Sequence, residues 1–214
     1  MIIPTFVQEK DANTSTVASI SITFTSNNTA GNIIIIGTSS GNSMSGIADT
    51  AGNFYQRAVA SGFGEEIWYA YNINGGANTV TVTWNGINFQ NFCACEYSGV
   101  EKAFNPLDQT SIVNGSTTTT NNVGATVTPR FPYELVTCLM FANSSGLTPT
   151  GGFHQRYSFN SGQDMFMDLT PNTAASLTPT ATMTSTSNWQ NVVATFFPLL
   201  PIVSPTDAAF FGMT

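Results

Sequence analysis

The sequence predicts an all-β protein, an antiparallel β-sandwich of jelly-roll-like character built from two pseudo-repeated halves. Three observations lead there. Apolar and polar residues alternate with period two along much of the chain, the signature of half-buried strands. Gly- and Asn-rich turns separate those runs. No segment sustains a 3.6-residue period, and Asp207-Ala-Ala-Phe-Phe211 is too short for a helix. With 42% hydrophobic and only 8% charged residues, the chain has the apolar content of a folded core and lacks the charge density of a disordered one.

Taken in order, Val17-Ala-Ser-Ile-Ser-Ile-Thr-Phe24 alternates as a half-buried strand. Ile33 to Ile36 is a continuous apolar run and predicts a strand covered on both faces. Phe54 to Val59 follows the turn Asp49-Thr-Ala-Gly-Asn53. Glu66 to Tyr71 then places Trp68 on one face and Tyr69 and Tyr71 on the other. Asn74-Gly-Gly76 turns the chain into Thr79 to Trp84, and Phe92 to Tyr97 closes the first half.

The second half repeats this order about a hundred residues later. Glu134 to Met140 answers the Ile33 run. Gly152-Phe-His-Gln-Arg156 answers Gly52-Asn-Phe-Tyr-Gln-Arg57, Met165 to Leu169 answers Ile67 to Tyr71, and Thr178 to Thr184 answers Thr79 to Trp84. Gln190-Asn191 opens the last run as Gln90-Asn91 opens its counterpart. The expected organisation is one sandwich over residues 1–198, with pseudo-repeats at about 32–97 and 133–198 and an apolar Pro-rich tail at 199–214. A polar stretch from Thr110 to Thr128 reads as the link between halves or a protruding loop.

Composition also narrows function. Five basic residues stand against twelve acidic ones, a net charge of −7. With no basic run there is nothing to grip a phosphate backbone or an anionic membrane surface. Cys93, Cys95 and Cys138 lie in apolar runs and read as small buried hydrophobes.

Catalytic patterns are not apparent. The one histidine, His154, stands where the first half has Tyr55, with no Gly-x-Ser-x-Gly elbow. Glycoside hydrolysis needs two facing carboxyls. Glu65 and Glu66 diverge as neighbours in an extended chain, while Asp164 and Asp168 share a face only if their strand is unbroken. No catalytic residue, cofactor site or transition-metal site is assigned. A calcium reading of Asp49 and Asn53 competes with a plain turn, and the turn is preferred because the counterpart Pro149-Thr-Gly-Gly152 lacks the acid.

The run from Asp49-Thr-Ala-Gly-Asn-Phe-Tyr through Ile67-Trp-Tyr-Ala-Tyr to Glu96-Tyr-Ser-Gly-Val100 resembles a β-sandwich module of phage virion and fibre proteins and of bacterial surface proteins. The resemblance covers about 50 residues, rests on turn and core positions, and implies a fold with no catalytic residues to carry over.

The expected function is a non-enzymatic virion structural protein, a capsid decoration or head-fibre subunit working through subunit contacts. It would be homo-oligomeric and bound to a major capsid protein or neighbouring subunits. The start Met1-Ile-Ile-Pro4, without a basic and apolar leader, favours a virion over a secreted location. Phe197, Leu199, Leu200, Ile202, Phe210 and Phe211 are the expected contact residues, since Pro198, Pro201 and Pro205 bar a regular interior strand or helix there. The alternative is an extracellular or fibre-borne glycan-binding module that uses exposed aromatics.

Overall fold

The computed structural model describes residues 1–116 and 120–200. Sixteen strands are formed among them. The first half contributes β1 (Thr5–Thr14), β2 (Ser19–Thr23), β3 (Ile33–Ser40), β4 (Met44–Asp49), β5 (Gln56–Ala60), β6 (Glu66–Tyr71), β7 (Thr79–Trp84) and β8 (Gln90–Ser98). The second contributes β9 (Leu107–Ser116), β10 (Asn121–Val123), β11 (Leu135–Ala142), β12 (Thr148–Thr150), β13 (His154–Phe159), β14 (Asp164–Leu169), β15 (Thr180–Thr182) and β16 (Asn188–Phe196). A 3-10 turn, Asn160–Gly162, joins β13 to β14.

Both halves are wound alike. Each has a five-stranded sheet, β1-β8-β3-β6-β5 or β9-β16-β11-β14-β13, and a three-stranded sheet, β2-β7-β4 or β10-β15-β12. First pairs with eighth, second with seventh and third with sixth, all antiparallel. That pairing is the jelly-roll winding. It departs in one respect: the fifth strand stays on its hairpin partner β6 or β14 instead of crossing to the smaller sheet.

Where the sequence places one sandwich between the halves, the sheets form one sandwich within each half and a further interface between them. Ile34, Ile36, Ala70, Phe92 and Ala94 face Ile22, Val80, Val82 and Trp84 inside the first half. Val136, Cys138, Met140 and Val193 face Ala181 and Met183 inside the second. The opposite faces of the two five-stranded sheets, including Ile33, Ile35, Ile67, Tyr69, Leu139, Phe166 and Phe196, pack on one another. The order of layers is three, five, five and three strands. This explains the Ile33–Ile36 run, where every side chain is at most 1% exposed. A strand covered on both faces has no polar alternation to show.

One expectation is corrected. The Thr110 to Thr128 stretch is not a link or loop throughout, since β9 pairs with β16 over most of its length and β10 pairs with β15. As the edge strand of its sheet, β9 meets solvent on one side, which is why Thr110 and Asn114 occur there. Thr117, Thr118 and Thr119 lie outside the described residues, as does the chain from Pro201 to Thr214 with Ile202, Phe210, Phe211 and the Asp207 to Phe211 segment.

Register also separates sequence likeness from structural equivalence. Gly37 pairs with Ile67 and Cys93, and Leu139 pairs with Phe166 and Val192. Cys93 is therefore the counterpart of Val192, and Asn91 of Gln190. The two Gln-Asn pairs are one place out of register, and in a strand one place exchanges faces. Asn91 points between the halves while Asn191 points into the second sandwich.

Candidate functional site at the seam between the halves

The face of β14 that meets the first half reads Asp164, Phe166, Asp168. Phe166 fills the apolar centre, and its Cδ2 lies 2.6 Å from where a Cβ on Gly37 would stand. The strand is unbroken, so the two aspartates stand at opposite ends of the interface, roughly 13 Å apart along the strand. Each lines its own cleft.

At one end, Asp168 is fully engaged. Tyr97 Oη donates to Oδ2 at 2.6 Å, and Arg156 donates through Nε at 2.5 Å and through a terminal nitrogen at 3.1 Å. The Arg156 guanidinium lies 4.0 Å from the Phe6 ring centroid, where the π face favours a cation. His154 lines the same cleft from the exposed side of β13. This end ties the halves together, with acid, base and aromatic saturating one another.

The other end is different. A cleft of about 310 Å³ opens between the halves, bounded by Phe63 and Phe89 and lined by Glu65, Asp164, Gln163 and Gln190. Asn91 Nδ2 donates to Asp164 Oδ2 at 3.1 Å, while Asp164 Oδ1 accepts no hydrogen bond among the described residues. Asp164 is 1% exposed. Burial and then the charge of Glu65 push its carboxyl up to about 6, against the pull of Ser39 and Asn91. Burial likewise pushes the Glu65 carboxyl up, with Ser61 Oγ donating to Oε2 at 2.7 Å.

Sequence reasoning missed this pair. It weighed Glu65 against Glu66 and Asp164 against Asp168, but the fold joins Glu65 to Asp164 across 99 residues. Glu66 turns the other way, accepting from Met44 N and Trp68 Nε1 in the first sandwich. The only local signal was that Asp164 and Phe166 share a strand face with one more acid, Asp168.

The loop that presents Phe63 is closely built. Ser61 Oγ accepts from Phe63 N at 3.0 Å and Glu65 N at 3.3 Å. Gly64 has φ +124°, and a Cβ there would lie 1.7 Å from the Ser40 carbonyl oxygen. On the facing side, Asn160 and Ser161 also hold positive φ, and the Asn160 amide donates to Gln163.

Asp49 and Asn53 come together, but as the centre of a turn. Asp49 accepts from Asn53 N (2.9 Å), Asn53 Nδ2 (2.7 Å), Tyr55 Oη (2.8 Å) and Asn78 Nδ2 (3.0 Å). Burial alone would raise this carboxyl, yet those donors hold it below the usual range. Four hydrogens already occupy the lone pairs that a calcium ion would need, and Asn53 Oδ1 accepts from Asn74 N. Glu96 likewise accepts four hydrogen bonds, from the side chains of Gln8, Asn28 and Asn32 and from the Thr29 backbone amide. Among the described residues no three His, Cys, Asp or Glu side chains gather as a metal site.

No protein-family model, curated protein or solved structure matches this chain. Function is therefore read from the geometry alone.

Of the expected contact residues, Phe197 and Leu199 run back over the start of the chain and the connection between halves. Leu199 N donates to Gly99 O at 2.7 Å, Ile2 N to Leu199 O at 2.9 Å, and Phe197 N to Pro106 O at 2.8 Å. The Phe197 ring meets Phe131 at 5.7 Å and Phe104 at 6.4 Å. Phe104 is 51% exposed, Phe131 40% and Leu200 41%. Together these side chains make an apolar patch where the described chain ends.

Proposed function

We propose that this protein is a non-enzymatic structural subunit of a virion surface, docking through the patch formed by Phe104, Phe131 and Phe197. The observation that carries the proposal is that patch: three phenylalanines gathered on a backbone that is itself hydrogen-bonded into the body. A clustered aromatic surface of this kind is costly in water and gains by meeting another apolar surface. The body behind it suits a part under mechanical stress, since two jelly rolls share an apolar interface closed at one end by Tyr97, Arg156 and Asp168. The occupant proposed for the patch is a neighbouring capsid subunit or a second copy of this chain. The low charge supports close association, because few ionic groups must be desolvated.

The test is immunogold labelling of particles released by the source culture, together with light scattering of the purified full chain. Label on intact particles and self-association lost in the Phe104→Ser/Phe131→Ser variant are the expected results. Particles free of label would overturn the virion reading. Unchanged incorporation and association of the double variant would overturn the patch.

A further inference from the structure

The cleft at the Asp164 end of the seam is not explained by folding or by the docking patch. We propose that it is a binding site for a neutral sugar, a mono- or disaccharide unit held between Phe63 and Phe89 and hydrogen-bonded by Gln163, Gln190 and Glu65 of its lining. Four observations combine. Phe63 is 66% exposed, yet its loop is fixed by Ser61, Glu65 and the close approach of Gly64 to Ser40. A large apolar ring left in water gains nothing for the fold, whereas a ring carried on a loop of fixed backbone is a ready platform for a sugar face. Phe89 stands at the same cleft, 38% exposed and braced against Phe159 at 5.2 Å.

The floor supplies the polar half of the recognition. Asp164, almost wholly buried beneath the cleft with Ser39 and Asn91 as its polar neighbours, gives the floor its polar character from below. Gln163 and Gln190 offer amide donors and acceptors from the second half, and Glu65 a carboxyl from the first. The ligand would therefore bridge both halves. At about 310 Å³ the cleft lies at the small end of ligand sites, which suits one or two rings. The two acids and the net charge of −7 disfavour uronic or sialic acids.

The experiment is a glycan array carrying neutral, amino and acidic oligosaccharides, probed with the full chain and with its Phe63→Ala variant. Each sugar retained is then titrated by ligand-observed NMR, and the variant is checked by thermal melting. Neutral sugars should be retained. Phe63→Ala, a change at an exposed ring, should weaken binding about tenfold or more without moving the melting temperature. Silence across the array, retention of acidic glycans only, or binding that survives Phe63→Ala would each overturn the proposal. A failure here leaves the docking patch standing, because Phe104 and Phe131 lie outside this cleft.

Discussion

Tyr97 of the first half donates its hydroxyl to Asp168 of the second at 2.6 Å, and both residues are buried. With the Asn91–Asp164 bond at the other end of the seam and the Arg156 guanidinium on the Phe6 ring, this bond supplements the packing that positions two jelly rolls sharing no strand.

Tyr97→Phe keeps the ring and removes the hydroxyl, leaving Asp168 with Arg156 alone. The loss should be about 1–2 kcal/mol of unfolding free energy, read from the midpoint of urea denaturation at constant m-value. An unchanged midpoint would mean that the bond contributes nothing to holding the halves.

Gly37 is a contact residue by virtue of what it lacks. Gly37→Ala would drive a methyl group to 2.6 Å from the Phe166 ring, and overpacking of this kind costs about 1–3 kcal/mol. Adding Phe166→Leu should recover part of the loss. If the double variant melts lower than both single ones, the clash is not the cause.

The Asp164 carboxyl gives a pH dependence of defined sign. Its value is raised in the folded protein to about 6 from 3.8, so between those values the native state holds a proton that the unfolded chain has released. The contribution is fully present below pH 3.8 and is lost as pH rises through about 6. For so deeply buried a group this is on the order of 2–3 kcal/mol. The stability difference between wild type and Asp164→Asn should accordingly change across that window, measured by denaturant melts at about pH 4, 5, 6 and 7. A constant difference would show that Asp164 does not titrate there.

Cys93, Cys95 and Cys138 are buried and free. Burial pushes the Cys95 and Cys138 thiols well up, and a thiol that neither ionises nor meets solvent does not react. A chromogenic disulfide reagent should report no reactive thiol in the native protein and all three in denaturant. Reaction of any cysteine at native rates would show that the sandwich faces open.

Much of the fold was legible because its signals are local. Alternation in Thr79 to Trp84, the unbroken apolar run at Ile33 to Ile36, and the turn Asp49 to Asn53 each depend on neighbours a few residues away. The duplication was legible for the same reason. Sequence likeness nonetheless misaligned Gln90-Asn91 with Gln190-Asn191 by one place, since composition does not mark which face a residue takes. The polar edge strand β9 passed for a loop because one side of it meets water.

The candidate site was not legible. Glu65 and Asp164 are far apart in the chain, and each has a nearer acid that competes for attention as its partner. What the sequence by itself determined is the strands that alternate or run apolar, the repeat and the lack of any basic run, all consequences of local backbone preference and composition. Only the tertiary structure decided that each half closes its own jelly roll. It also decided that the outer faces of the two five-stranded sheets become a shared core, and that Asp168 is neutralised at one end while Asp164 is left short of a partner at the other. The physical reason is that burial and charge pairing are properties of surfaces brought together, and the chain writes those surfaces in pieces about a hundred residues apart.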